Sequence, residues 1–219
     1  MKKNVFSKLI LASSILLASS ASYATTVLTD SIADFSGTQG LNNWYYGYFD
    51  TSSSNTAFTE MTQFDSSSGQ ATWYRDNGVY WTQLWASGGH PNGLSTGGGR
   101  ISDDNSAVRR WVSQVSGIID ISGLIRQGDS GQTTETILVD GVNILTSSST
   151  RNGTYDVSAT VHVGSTIDFA IAPSEPDFGD STQFTAHISA VPEPAPFLLM
   201  GLGTLALMGV TYSQKKRNR

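Results

Sequence analysis

From Leu41 to Ile188 the chain never sustains an apolar stripe at helical spacing. Apolar and polar residues instead alternate in short stretches, broken by Gly, Ser, Asn and Asp. A period of two sends successive side chains to opposite faces of a strand, so each stretch offers one face to a core and one to water. Tyr155 to Val163 is the clearest case. Tyr155, Val157, Ala159, Val161 and Val163 share the core face, and Asp156, Ser158, Thr160 and His162 share the other. Gly164-Ser165 then turns the chain, and Ile167, Phe169 and Ile171 alternate back. Leu41 to Phe49 sets Trp44, Tyr46 and Tyr48 against Tyr45 and Phe49. Ala57 to Phe64 predicts one strand, as do Val108 to Gly117, Ile118 to Ile125 and Phe184 to Ile188. Asp76-Asn77-Gly78, between Gln70–Arg75 and Val79–Ala86, and Asp140-Gly141, inside Glu135–Leu145, are hairpin turns. Ser87 to Arg100 holds six glycines and a proline and predicts a long loop with no regular element. About ten short strands without a helix predict an all-β fold. A jelly-roll-like β-sandwich is the expected form, since a barrel needs strands of similar length.

Two segments of different composition frame this region. Met1 to Ala24 has Lys2, Lys3 and Lys8, a short apolar run from Leu9 to Ala18, and small residues at Ser22 and Ala24. That order predicts a secretory signal peptide cut between Ala24 and Thr25. The alternative, an uncleaved anchor, is disfavoured by the shortness of the apolar run. At the other end Ala195 to Tyr212 carries no charge. Its 18 residues, as a helix, would reach about 27 Å, just enough to cross a bilayer core. Lys215, Lys216, Arg217 and Arg219 follow and would stay on the cytoplasmic side. A buried helix of a soluble domain is the competing reading of this run. The domain plan is therefore 1–24, 25–190 and 191–219, the last with a span over 195–212 and a basic tip over 213–219.

The middle segment is one domain by length. It keeps six arginines and no lysine against 17 acids, a formal charge of 6 − 17 = −11. That surface disfavours nucleic acid and anionic lipid as partners and suits neutral glycans or divalent cations. The chain has no cysteine, which excludes disulfides, thiolate metal sites and cysteine nucleophiles.

Pro192-Glu193-Pro194 stands just before the uncharged run and the basic tip. These three parts in this order, Val191 to Arg219, resemble the PEP-CTERM sorting tail. The resemblance implies that Pro192, Glu193 and Pro194 are recognised by an exosortase, a membrane transpeptidase that cuts near the motif and releases or re-anchors the exported domain. It also implies a Gram-negative, biofilm-forming source that makes extracellular polysaccharide, and a protein that is the substrate of this chemistry. The domain itself resembles, at fold level, the jelly-roll domains of such proteins and of carbohydrate-binding modules. The likeness rests on NWYYGY (Asn43–Tyr48), the His90-Pro91 loop, AVRRW (Ala107–Trp111), VDG (Val139–Gly141) and STIDFAI (Ser165–Ile171).

Aromatic faces stack on the C–H faces of sugars while polar neighbours bond the hydroxyls. Trp44, Tyr46, Trp81 and Trp85, with His90, are the candidate ligand-binding residues. Burial in a sandwich core is the competing reading of each aromatic. Tyr45, Tyr48 and Trp73 are read as core, and His162 and His187 as surface. Asp103-Asp104 and Asp177 with Asp180 offer oxygens for a structural calcium, or stand as solvated loop acids. No metal-ligand spacing of histidines occurs. Of Arg109 and Arg110, adjacent on one strand, one must turn inward and is expected to pair with a carboxylate. No G-x-S-x-G, H-E-x-x-H or phosphate-binding loop is present, so no enzyme is predicted and no cofactor is required. Three functions remain in order: an exported, membrane-anchored surface or matrix protein binding exopolysaccharide, a purely structural surface protein, and a glycan-active enzyme.

Overall fold

The computed structural model describes residues 25–192 apart from 52–54, 96, 149–152 and 176–177. The expectations for the signal segment up to Ala24, for Glu193 and Pro194, and for the apolar run 195–212 lie outside the described residues. Among the described residues no helix is long and apolar enough to cross a membrane.

The chain is all-β. Fifteen strands follow in order: β1 (Thr26–Asp30), β2 (Trp44–Asp50), β3 (Asn55–Glu60), β4 (Gln63–Asp65), β5 (Thr72–Tyr74), β6 (Gln83–Trp85), β7 (Gly88–His90), β8 (Asn105–Val112), β9 (Gly117–Gln127), β10 (Thr133–Val139), β11 (Val142–Ser148), β12 (Gly153–Val161), β13 (Thr166–Pro173), β14 (Thr182–Phe184) and β15 (His187–Ala190). One 3₁₀ turn, Leu41–Asn43, leads into β2. A wide sheet runs β1-β15-β9-β14-β7-β6-β5-β4, with β12 on the free side of β9. A narrow sheet runs β11-β10-β13-β8-β2-β3. Adjacent strands are antiparallel throughout.

The alternating faces place the core between the sheets. Trp44, Tyr46, Trp111, Ile137, Ile167 and Phe169 come from the narrow sheet, and Trp73, Leu84, Ile119, Ile121, Phe184 and Ile188 from the wide one. Aromatic rings meet across the gap. Tyr46 stacks on Trp73 with centroids 5.6 Å apart, and Phe169 meets Phe184 edge-on at 5.7 Å. Each such side chain contributes roughly 1.5–3 kcal/mol by leaving water. The Asp140-Gly141 turn forms as predicted, with φ of 50° and 78°, and joins β10 to β11. Both residues need the left-handed region, which Asp tolerates and Gly favours.

Several expectations give way to tertiary structure. Ala57 to Phe64 is two strands, since β3 pairs with β2 in the narrow sheet and β4 with β5 in the wide one. The chain crosses at Met61, whose side chain is buried and whose N–H donates to the Tyr46 carbonyl. The predicted final strand also splits, into β14 and β15. The supposed loop after Ser87 begins with a central strand, β7, bonded to β6 on one side and β14 on the other. A Cβ on Gly88 would stand 1.9 Å from the Thr182 carbonyl oxygen, so glycine here is what lets two backbones close up. The inward face of β12 is as predicted up to Val161, but Val163 lies beyond the strand and is 66% exposed. β12 and β13 are not a hairpin. They belong to opposite sheets, because the turn between them carries the chain across the sandwich.

Arg109 is the inward arginine, 2% exposed, and it meets no carboxylate. Its guanidinium crosses from β8 and donates to the carbonyls of Trp85 (3.2 Å), Ala86 (3.0 Å) and Gly88 (3.2 Å). Burial pulls it down to about 10, still protonated at neutral pH. The ion pair belongs instead to the outward Arg110, which donates through Nε and Nη2 to Asp168 at 2.6 and 2.8 Å. Glu135 is the matching inward acid, fully buried on β10. Thr133 donates to its Oε1 at 2.5 Å and shares a 2.6 Å bond with Thr182 of the other sheet. Burial pushes its carboxyl up to about 7.

Two outcomes follow from these buried groups. Arg109→Met takes the guanidinium away from three buried carbonyls and should cost about 3 kcal/mol in urea unfolding. Arg109→Lys, with a point charge and no planar fork, should restore only part of that. Glu135 keeps its proton in the folded chain at pH values where the unfolded chain, near 4.5, has released it. The contribution of Glu135 to stability is therefore complete below about pH 4.5 and is lost, by roughly 3 kcal/mol, as pH rises to about 7. Urea midpoints measured from pH 4 to 8 should show this fall, and Glu135→Gln should abolish it.

Candidate functional site

β9 and β13 run toward the same end of the sandwich, where their following loops, 128–131 and 174–181, meet. Gly128 N–H donates to the Ser181 carbonyl and Gly131 N–H to that of Gly179, at 2.7 and 2.8 Å. A third loop, 91–103, arrives from β7. Asn92 holds it. This fully buried side chain donates to the carbonyls of Gly93 (3.2 Å), Ile101 (3.0 Å) and Asp103 (2.6 Å), and its Oδ1 accepts the Trp81 N–H at 2.9 Å. Its main chain pairs both ways with Asn105. The third loop is tied to the second by Glu175, whose carboxylate accepts the N–H groups of Leu94 (2.6 Å) and Ser95 (3.0 Å).

Between these loops lies a cleft of about 330 Å³. Trp81, Gln83, His90, Asp129, Phe178 and Ser181 line it, with glycine backbone at 97, 98 and 179. Trp81 forms one wall. Its indole N–H donates to the Gly97 carbonyl at 3.2 Å, the Arg100 guanidinium lies 4.3 Å over its ring, and His90 sits 5.7 Å away. His90 Nδ1 bonds the Pro91 carbonyl at 2.5 Å, so that nitrogen carries the proton and the ring is fixed. Phe178 also lines it and is 56% exposed. A second cleft of about 320 Å³ shares Phe178 and is lined by Gln132, Ser174 and Glu175.

The five candidate ligand residues separate. Trp81 and His90 share the cleft. Trp85, half-buried on β6, faces outward beside Thr72 and Gly88 and does not line it. Trp44 and Tyr46 are both 0% exposed and are corrected to core: a ring with no face in water cannot stack on a ligand from outside. The Trp44 indole donates to Thr29 at 2.6 Å, and the Tyr46 hydroxyl accepts the Ser36 N–H at 3.3 Å. Burial raises the Tyr46 phenol above its ordinary value. Asn92, Asp129 and Phe178 were not anticipated. An aromatic inside a Pro, Asp and Gly stretch was the available signal for Phe178. Asp103 is engaged by Arg75 at 2.7 Å, and that guanidinium also lies 3.8 Å over Tyr80. Asp180 is buried and Asp177 is outside the described residues. Among the described residues no three His, Cys, Asp or Glu side chains gather as a metal site. Two aromatic faces with an amide, an imidazole, a carboxylate and a hydroxyl suit a small polyhydroxylated ligand.

Residues 190–216 match the PEP-CTERM protein-sorting motif, which implies export, C-terminal anchoring and processing by an exosortase. Among curated proteins none matches the chain. Solved structures to which it is similar include family 35 carbohydrate-binding modules and parts of glycoside hydrolases. One module from an environmental isolate is 13% identical, over 55% of this chain and 97% of that one, with a TM-score of 0.31. A family 35 module from Clostridium thermocellum is 10% identical, over 67% and 87%, with a TM-score of 0.30. A β-glucosidase from Kluyveromyces marxianus is 10% identical, over 74% of this chain and 18% of that one, with a TM-score of 0.34. Similarity at this level establishes neither a shared ligand nor a shared reaction.

Asn92→Ala removes the amide group whose two N–H donors serve three backbone carbonyls and whose oxygen accepts the Trp81 main-chain N–H. It should lower stability by about 2–4 kcal/mol and raise the fluorescence exposure of Trp81, read by urea unfolding and acrylamide quenching.

Proposed function

We propose that this chain is an exported surface or matrix protein whose jelly-roll sandwich, residues 25–190, binds a glycan of the surrounding exopolysaccharide. The signal peptide is removed between Ala24 and Thr25. The helix 195–212 then holds the protein in the membrane with the tip 213–219 inside, until an exosortase acts at Pro192, Glu193 and Pro194. The observation that carries the glycan reading is the open cleft lined by two aromatics, Trp81 and Phe178, together with the polar groups of Gln83, His90, Asp129 and Ser181. Trp81 and Phe178 sandwich the sugar, and the polar groups bond its hydroxyls. Among the described residues Asp129 is the one carboxylate lining the cleft, an arrangement suited to binding, whereas glycosidases work with two. The −11 charge of the domain supports a neutral polymer over an anionic one.

The test is affinity electrophoresis of the full chain in detergent through gels containing the producing cell's own exopolysaccharide, with Trp fluorescence titration alongside. Trp81→Ala and Phe178→Ala should each weaken retention about tenfold, as loss of one stacking face predicts, while far-UV circular dichroism stays unchanged. Trp85→Ala should bind as wild type. A wild-type chain that migrates freely would leave a purely structural surface protein.

A further inference from the structure

β12 keeps unbroken register with β9 over nine residues, from Gly153 opposite Ile125 to Val161 opposite Gly117. Among the described residues no strand pairs with its other side. Such an edge presents a row of N–H and C=O groups to any further strand. The other sheet edges are blunted. β4 is three residues long. β1, β3 and β11 each break register, between Val27 and Thr29, opposite Phe49 and Asp50, and opposite Ile137 and Leu138. β12 has no break, no lysine, no proline and one charge, Asp156.

We propose that β12 pairs antiparallel with β12 of a second copy of this chain, about a two-fold axis through Ser158, joining two wide sheets into one. The occupant follows from charge and pattern. With a domain charge of −11, two copies repel wherever acids oppose, and directly opposed like charges destabilise a strand pair. Centred on Ser158, the strand sets Asp156 against Thr160 of the second copy and keeps the two Asp156 carboxylates four residues apart. The inward row matches as well: Val157 meets Ala159, and Tyr155 meets Val161, an aromatic on a β-branched side chain. Because both strands run antiparallel, the core face of one continues the core face of the other. Ile125, Leu145 and Tyr155 also line a cleft of about 230 Å³ beside the strand. The second copy covers its open side. Ser158 itself is exposed, and its hydroxyl donates to Asp120 at 2.7 Å, so the axis is accessible.

The absence of cysteine makes the test direct. Single cysteines are placed in the full chain, in detergent, at Ser158 and, as control, at exposed Gln63 on the edge strand β4. Mild oxidation should link S158C to itself about tenfold or more faster than Q63C, since pairing raises its effective concentration. Detergent-corrected light scattering should show the wild type as a dimer. S158K should shift it to monomer with unchanged circular dichroism, because a lysine at the axis opposes its own copy. S158C linking no faster than Q63C overturns the proposal. So does a wild-type monomer, or an S158K chain as dimeric as wild type, which would assign the association to another surface.

Discussion

The guanidinium of Arg109 carries a buried charge across the interior, where the Thr133–Thr182 bond and the Trp44 indole on Thr29 are neutral links between the sheets. It leaves the narrow sheet at β8 and ends on three carbonyls of the wide sheet, at Trp85, Ala86 and Gly88. Those carbonyls belong to the tight turn between β6 and β7. An uncompensated buried charge would be very costly, and here the fork geometry of arginine matches several acceptors at once. The cation therefore fixes the turn, and the turn fixes both strands that carry Gln83 and His90 into the cleft. Packing of Tyr46 on Trp73, beside the same region, holds the two sheets at the separation this reach requires.

The cleft is built from loops, yet these loops are bonded as thoroughly as strands. Asn92 replaces a missing sheet partner for the segment 93–103. Glu175 caps the N–H groups at 94 and 95, and the backbones at 128–131 and 179–181 bond each other. A surface held this way would lose little conformational entropy on taking up a ligand. It also explains why so many glycines surround Trp81. Gly98 has φ of 69°, and a Cβ there would already stand 3.2 Å from the indole, so the loop can lie flat beside the ring only without a side chain.

Local pattern carried a good deal of this. The split of Trp44, Tyr46 and Tyr48 from Tyr45 and Phe49 holds in β2, the inward row of β12 holds to Val161, and Asp140-Gly141 turns where its chemistry says. Trp81, chosen as an aromatic able to stack on a sugar, and His90, chosen for its place in the glycine-rich stretch, both line the cleft. The same logic misplaced Trp44 and Tyr46, since alternation tells which face a residue occupies and not whether that face meets another sheet or solvent. It also placed the carboxylate partner on the wrong arginine. Adjacent arginines must point opposite ways, but only the opposing sheet reveals that carbonyls await the inward one and Asp168 the outward one.

What the sequence determined by itself is local and periodic: an all-β chain without disulfides, its turns, the faces of its longer strands, and the sorting motif at 190–216. Those follow from side-chain alternation and from the conformational demands of Asp, Asn, Gly and Pro, which act over a few residues. Only the tertiary structure decided which sheet each strand joins, that Gly88–His90 is a central strand, and which aromatics stay in water. Such outcomes depend on backbone pairing between residues far apart in the chain, and no short window of sequence encodes the partner.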